Sequence, residues 1–178
     1  MEEDRQRYPK IKKFVKTVIE PSIVFIKKNR KKQNTPFKEI ESILNIFFPG
    51  TKHISSGAGA FKRVFIIHTP NKKKLALKIS RRRSYMRKDY TTYKNFIKRI
   101  GANIGHRNYA KIYWRTDFTM LQKFGKAVKV PEEEIQRLKQ LGKEYGLKDI
   151  REKNIMKVDG KFKIVDAERK QKKNNVSK

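Results

Sequence analysis

Two aspartates and an asparagine interrupt the lysine-rich end of this chain: Asp149, Asn154 and Asp166, in the stretch GLKDIREKNIMKVDGKFKIVDAE. Carboxylate and amide oxygens take protons and bind hard cations, so these three residues between short apolar runs are candidates for chemistry. A purely structural account covers part of the stretch. Asp149 serves as a turn cap, Asn154 as a loop residue, and Asp159-Gly160 predicts a tight hairpin turn between NIMKV and KFKIV. That account explains the turn but leaves Asp149, Asn154 and Asp166 as coincidence.

Two earlier stretches have residue types suited to phosphate. GAGAFKRV holds Gly57 and Gly59, which let backbone N–H groups come close to an anion, with a small-residue hairpin as the alternative reading. In LALKI, Lys78 stands between Leu77 and Ile79, in an apolar strand where most neighbouring lysines are excluded.

The elements that must position these residues follow from periodicity. Residues 1–50 predict a helical extension in two pieces. In IKKFVKTVIEPSIVFIKKN, Ile11, Phe14, Val15 and Val18 fall at helical intervals, and Pro21 breaks or restarts the pattern. In TPFKEIESILNIFF, Thr35 is the expected N-cap and Pro36 the first helical residue. Phe37, Ile40, Ile43, Leu44 and Phe47 form one face, a packing surface. From Thr51 the period changes to that of strands, through KHISSGAGAFKRVFIIHT and KKLALKIS joined at PNKK. SYMRKDYTTYKNFIKRIG then reads as a helix with Tyr85, Asp89, Tyr93, Phe96 and Ile100 on one side. YAKIYWRT and FTMLQKF read as strands, and a helix runs from about Pro131 to Tyr145 with acids in its first turn, as the helix dipole favours. The hairpin follows, and the polar tail at 171–178 has the composition of a disordered segment.

Composition sets the outer limits. A chain of 178 residues with 37% hydrophobic residues can build a modest core. Cysteine is absent, which excludes disulfides and thiolate metal sites and favours an intracellular, cytoplasmic location. No apolar run approaches a membrane span, and Met1-Glu2-Glu3-Asp4 is no signal peptide, so no membrane association is expected. His53, His68 and His106 show no metal spacing, and Trp114 reads as core. Lys and Arg number 47 against 17 acids, for a net charge of +30. That charge attracts any polyanion, nucleic acid included, and singles out none.

The order of strands and helices from Thr51, with the residues at its corners, resembles the protein kinase superfamily. GAGAFKRV resembles its glycine-rich loop, LALKI its third-strand lysine motif, Asp149-Ile150-Arg151-Glu152-Lys153-Asn154 its catalytic loop, and IVDAE its metal-binding D-F-G stretch. The resemblance covers residues ~51 to ~170. It implies an α+β, protein-kinase-like fold: an antiparallel N-lobe at 51–124 with one long helix, and a reduced C-lobe at 125–170. The chain ends twelve residues after Asp166, so the resemblance is to small atypical members, RIO-like or lipopolysaccharide-kinase-like.

The resemblance also implies roles. Gly57, Ala58, Gly59, Phe61, Val64, Ala76 and Gln122 would hold ATP, with Lys78 on its α- and β-phosphates and Asp89 as partner of Lys78. Asp149 would orient the acceptor hydroxyl and take its proton, and Arg151 would meet the transferring phosphate. Asn154 and Asp166 would hold Mg²⁺. The implied activity is ATP-dependent transfer to a protein hydroxyl of the serine/threonine kind or to a small-molecule hydroxyl. The chain departs from the family pattern at Lys62, where the third glycine is usual, and at Asp89, where the helix usually brings a glutamate. Ala167-Glu168 replaces Phe-Gly. These departures keep two alternatives open: a nucleotide-binding pseudokinase or scaffold, and a basic nucleic-acid-binding protein on the same fold.

Overall fold

The computed structural model describes residues 8–28, 35–54, 62–69, 73–80 and 82–169. The fold is α+β, built on a five-stranded antiparallel sheet with several helices. The chain divides into two compact units: Met1–Tyr90 with Lys111–Phe124, and Thr91–Ala110 with Gly125–Lys178.

The first unit holds the sheet. Its strands β1 (Lys52–Ile54), β2 (Lys62–His68), β3 (Lys74–Ser80), β4 (Ile112–Arg115) and β5 (Thr119–Lys123) run in the order β1-β2-β3-β5-β4. Phe65, Ile67, Leu75, Leu77, Ile79 and Leu121 are almost fully buried and share one core with the amino-terminal helices. These are α1 (Pro9–Phe14), α2 (Glu20–Lys28) and α3 (Thr35–Phe47). The helical extension is therefore part of the sheet's own core, which also encloses Trp114, at 3% exposure. Each fully buried Ile or Leu there contributes about 2 kcal/mol of transfer free energy.

Of the two outcomes expected at Pro21, a break or a restart, the structure shows the restart. A π-helical turn, Val15–Ile19, precedes α2, and the Glu20 N–H reaches the Val15 carbonyl five residues back. Proline has no N–H to offer and its ring crowds the preceding turn; widening that turn is the adjustment that lets the helix continue. The wider turn also slows the period, so Ile11, Val15, Ile19 and Ile23 are buried at even steps of four. Val18 is only half-buried as a result. In α3, Phe37, Ile40 and Leu44 are buried as expected, but Phe47 is 55% exposed. Its ring lies against Phe14, centroids 4.2 Å apart, at the edge of the core.

The chain passes between units within α4 (Arg83–Ile100). In the second unit, Tyr93 and Phe96 of α4 meet Tyr109 with ring centroids 5.3 and 5.9 Å apart. Two elements of this unit lack a signal in the periodicity. One is α5 (Ala102–Asn108), the other the short ladder of β6 (Leu147–Lys148) with β9 (Glu168–Arg169). The long helix α6 (Glu132–Tyr145) has three of its four glutamates in the first turn. The hairpin of β7 (Ile155–Val158) and β8 (Lys161–Ile164) closes on Asp159-Gly160, with φ of 51° and 77°. Positive φ at both central residues is the type I′ signature, for which the dipeptide Asp-Gly is suited.

Candidate functional site

The sheet register places four of the predicted nucleotide residues on one face. Val64 lies opposite Lys78, and Lys78 opposite Met120; Ile66 lies opposite Ala76, and Ala76 opposite Gln122. Successive side chains of a strand alternate, so Val64, Ala76, Lys78 and Gln122 look away from the core face that carries Leu75, Leu77 and Ile79. Lys78 is 7% exposed and Gln122 1%. Gly57, Ala58, Gly59 and Phe61 lie outside the described residues.

Asp89 of α4 is buried at 7% exposure, and its Oδ2 accepts a hydrogen bond from Lys62 Nζ at 2.7 Å. Lys62 opens β2 opposite Ser80 and has the parity of Val64, so this ion pair belongs to the Lys78 face of the sheet. Lys62 also lies 6.0 Å from the centre of the Tyr85 ring. Two of the positions where the sequence departs from the pattern it resembles, 62 and 89, thus bind each other. Sequence reasoning assigned Asp89 to Lys78 and gave Lys62 no role. Its strand parity with Val64 was the available signal.

In the second unit, two antiparallel ladders bracket a small closed ring of chain. One pairs Lys148 with Glu168, the other Ile155 with Ile164. Residues 149–154 form one side of the ring and 165–167 the other, so Asp149, Asn154 and Asp166 all fall inside it. A short 3-10 turn, Glu152–Asn154, folds the longer side, and the Val165 N–H bonds the Asn154 carbonyl at 2.9 Å. Asp166 is therefore one residue beyond the bond that holds Asn154.

Within the ring, the Asn154 side-chain amide donates to the Asp149 carbonyl at 2.8 Å and to Asp149 Oδ2 at 3.1 Å. Both partners are acceptors, so the amide orientation follows: nitrogen inward to Asp149, Oδ1 left over. Asp149 Oδ1 pairs with the Arg151 guanidinium. Asp149 itself has a φ of 64°, the left-handed region, which aspartate tolerates better than most residues and which clusters at functional sites. Its side chain lines an open concavity of about 490 Å³ together with Arg151, Ile150 and Leu147.

Among the described residues no group of three or more His, Cys, Asp and Glu could hold a metal ion. A site for Mg²⁺ makes a smaller demand, one or two protein oxygens with the remainder from water and phosphate. The spare Oδ1 of Asn154 and the neighbouring Asp166 carboxylate are donors of that hard-oxygen kind. Among the described residues no helix is long and apolar enough to cross a membrane. Compared with known families and characterised proteins, the chain matches no family model and no curated protein.

Proposed function

We propose that this chain is an ATP-dependent phosphotransferase with a minimal protein-kinase-like fold, passing the γ-phosphate of Mg-ATP to a hydroxyl, by default a serine or threonine of a protein. One observation carries the reading: the closed ring that ties Asp149 to Asn154 through two hydrogen bonds and sets Asp166 beside Asn154. A set of turn caps needs no such convergence. Phosphoryl transfer needs it, because the chemistry is mostly positioning and charge placement.

In this reading Val64, Ala76 and Gln122 face the nucleotide and Lys78 answers the charge of its α- and β-phosphates. Asn154 and Asp166 hold Mg²⁺, which when bound neutralises charge on the phosphates. Asp149 accepts a hydrogen bond from the acceptor hydroxyl and takes its proton as the oxygen attacks the γ-phosphorus. The bond from that phosphorus to the β,γ-bridging oxygen breaks, and ADP leaves. Arg151, held on Asp149, offers a cation to the transferring phosphate. Incubation of the protein with labelled ATP, Mg²⁺ and acidic or basic generic proteins tests the reading. Transfer that Asp149→Asn abolishes supports it; undiminished transfer by Asp149→Asn removes the mechanism.

A second reading, a nucleotide-binding scaffold, is favoured by the departures from the kinase pattern at Lys62, Asp89 and Ala167-Glu168. Mg²⁺-dependent ATP binding without transfer to any acceptor would select it.

A further inference from the structure

Among the described residues, more cations than carboxylates line the concavity beside Asp149. Lys139 and Lys143 of α6 and Lys148 of β6 complete its lining, with Arg151 as a fourth cation. Asp149 is already paired to Arg151. Lys139 and Lys143, both exposed, are four residues apart and so share one face of the helix. Like charges at that spacing cost a helix stability. Lys143, in the last turn, at least complements the helix dipole. Lys139 does not, which makes it the sharper of the two.

We propose that the acceptor is an acidic protein segment, whose carboxylates rest on Lys139 and Lys143 and so present its hydroxyl to Asp149. The hydroxyl part of this proposal rests on the phosphotransferase reading; the acidic part rests on the concavity alone. The spacing fits an extended chain. Four helical residues advance by about 6 Å, and alternate side chains of an extended segment repeat about every 7 Å. Leu147 and Ile150 supply the apolar remainder of the floor. Among the described residues the lining contains no aromatic ring on which a nucleic-acid base could stack, which favours a peptide over a single strand of nucleic acid.

The test is fluorescence anisotropy on the full chain, without nucleotide. The probes are three serine peptides whose alternate flanking residues are aspartate, asparagine or lysine, plus a single-stranded oligonucleotide. The aspartate peptide is expected to bind best, and K139E/K143E to weaken it by roughly tenfold. K10E/K13E, which changes net charge equally on the exposed side of α1, is the control and is expected to leave binding within about twofold. Melting temperatures of both variants establish that they fold, with K139A/K143A as the milder replacement. Where transfer is measurable, K139E/K143E raises KM for the aspartate peptide and leaves kcat and ATP affinity in place. Equal loss in both double variants, equal binding of the asparagine peptide, or an oligonucleotide that outcompetes the aspartate peptide at Lys139 each overturns the proposal. Failure of transfer with acidic binding intact counts against the phosphotransferase reading only.

Discussion

Asn154 holds Asp149 at two points, the main-chain carbonyl and carboxylate Oδ2, although five residues separate them. That clamp orients a carboxylate that also carries an arginine, and the proposed mechanism gives the three polar residues separate roles. Asp149→Asn is expected to leave ATP affinity nearly unchanged while transfer falls by roughly a hundredfold or more, the loss of a proton acceptor used in the transition state. Asp166→Asn weakens Mg²⁺-dependent nucleotide binding and transfer together, and Asn154→Ala falls between them. ATP titrations with and without Mg²⁺, run beside transfer rates and melting temperatures, check all three. If the residues only cap turns, each change costs about 1 kcal/mol of stability and nothing selective.

The Lys62–Asp89 pair predicts coupling. Its side chains are 24% and 9% exposed, between a surface pair and a buried one. A Lys62→Ala, Asp89→Ala double-mutant cycle in urea is expected to give an interaction energy of about 1 kcal/mol. A parallel cycle of Asp89→Ala with Lys78→Ala, read on transfer, tests whether Asp89 also serves Lys78, the proposed nucleotide lysine. Additive losses there would separate the two residues.

Gly142 sets the approach of α6 to the ring. A Cβ at this position would stand 2.1 Å from Ile150 Cδ1, so Ile150, the neighbour of Asp149, must move. Gly142→Ala raises intrinsic helix propensity by about 1 kcal/mol, yet a net destabilisation of roughly 1–2 kcal/mol is expected from overpacking. Transfer should fall more than that loss of folded protein explains, because the displaced side chain adjoins Asp149. Chemical denaturation and transfer rate on the same preparation read both effects.

The net charge of +30 predicts weak binding to any single- or double-stranded nucleic acid, without sequence preference. Affinity should fall by orders of magnitude between low and physiological salt, as counterion release requires. A salt titration with two unrelated sequences is the check. Binding that survives high salt, or that separates the sequences, would favour a nucleic-acid-binding protein.

Periodicity and turn chemistry are local, and they made much of the fold legible. The strand around Lys78, the helical spacing of Tyr93, Phe96 and Ile100, and the Asp159-Gly160 turn each depend on neighbours within a few residues, and all three appear in the structure. The type and order of Asp149, Asn154 and Asp166 were equally legible as a candidate constellation. Tertiary structure decided the rest. Phe47 has the right spacing for the core and stays exposed, because a face extends only as far as the surface it packs on. Pro21 continues a helix because a π turn absorbs it, and that turn is held by the burial of Val15 and Ile19. Lys62, a partner of Asp89, lies 27 residues away on a strand, and the ladder that closes the ring joins Leu147–Lys148 to Glu168–Arg169, two strands too short to carry a pattern. Such pairings are settled by sheet register and by which buried charge finds which, quantities that exist only once distant segments have been brought together.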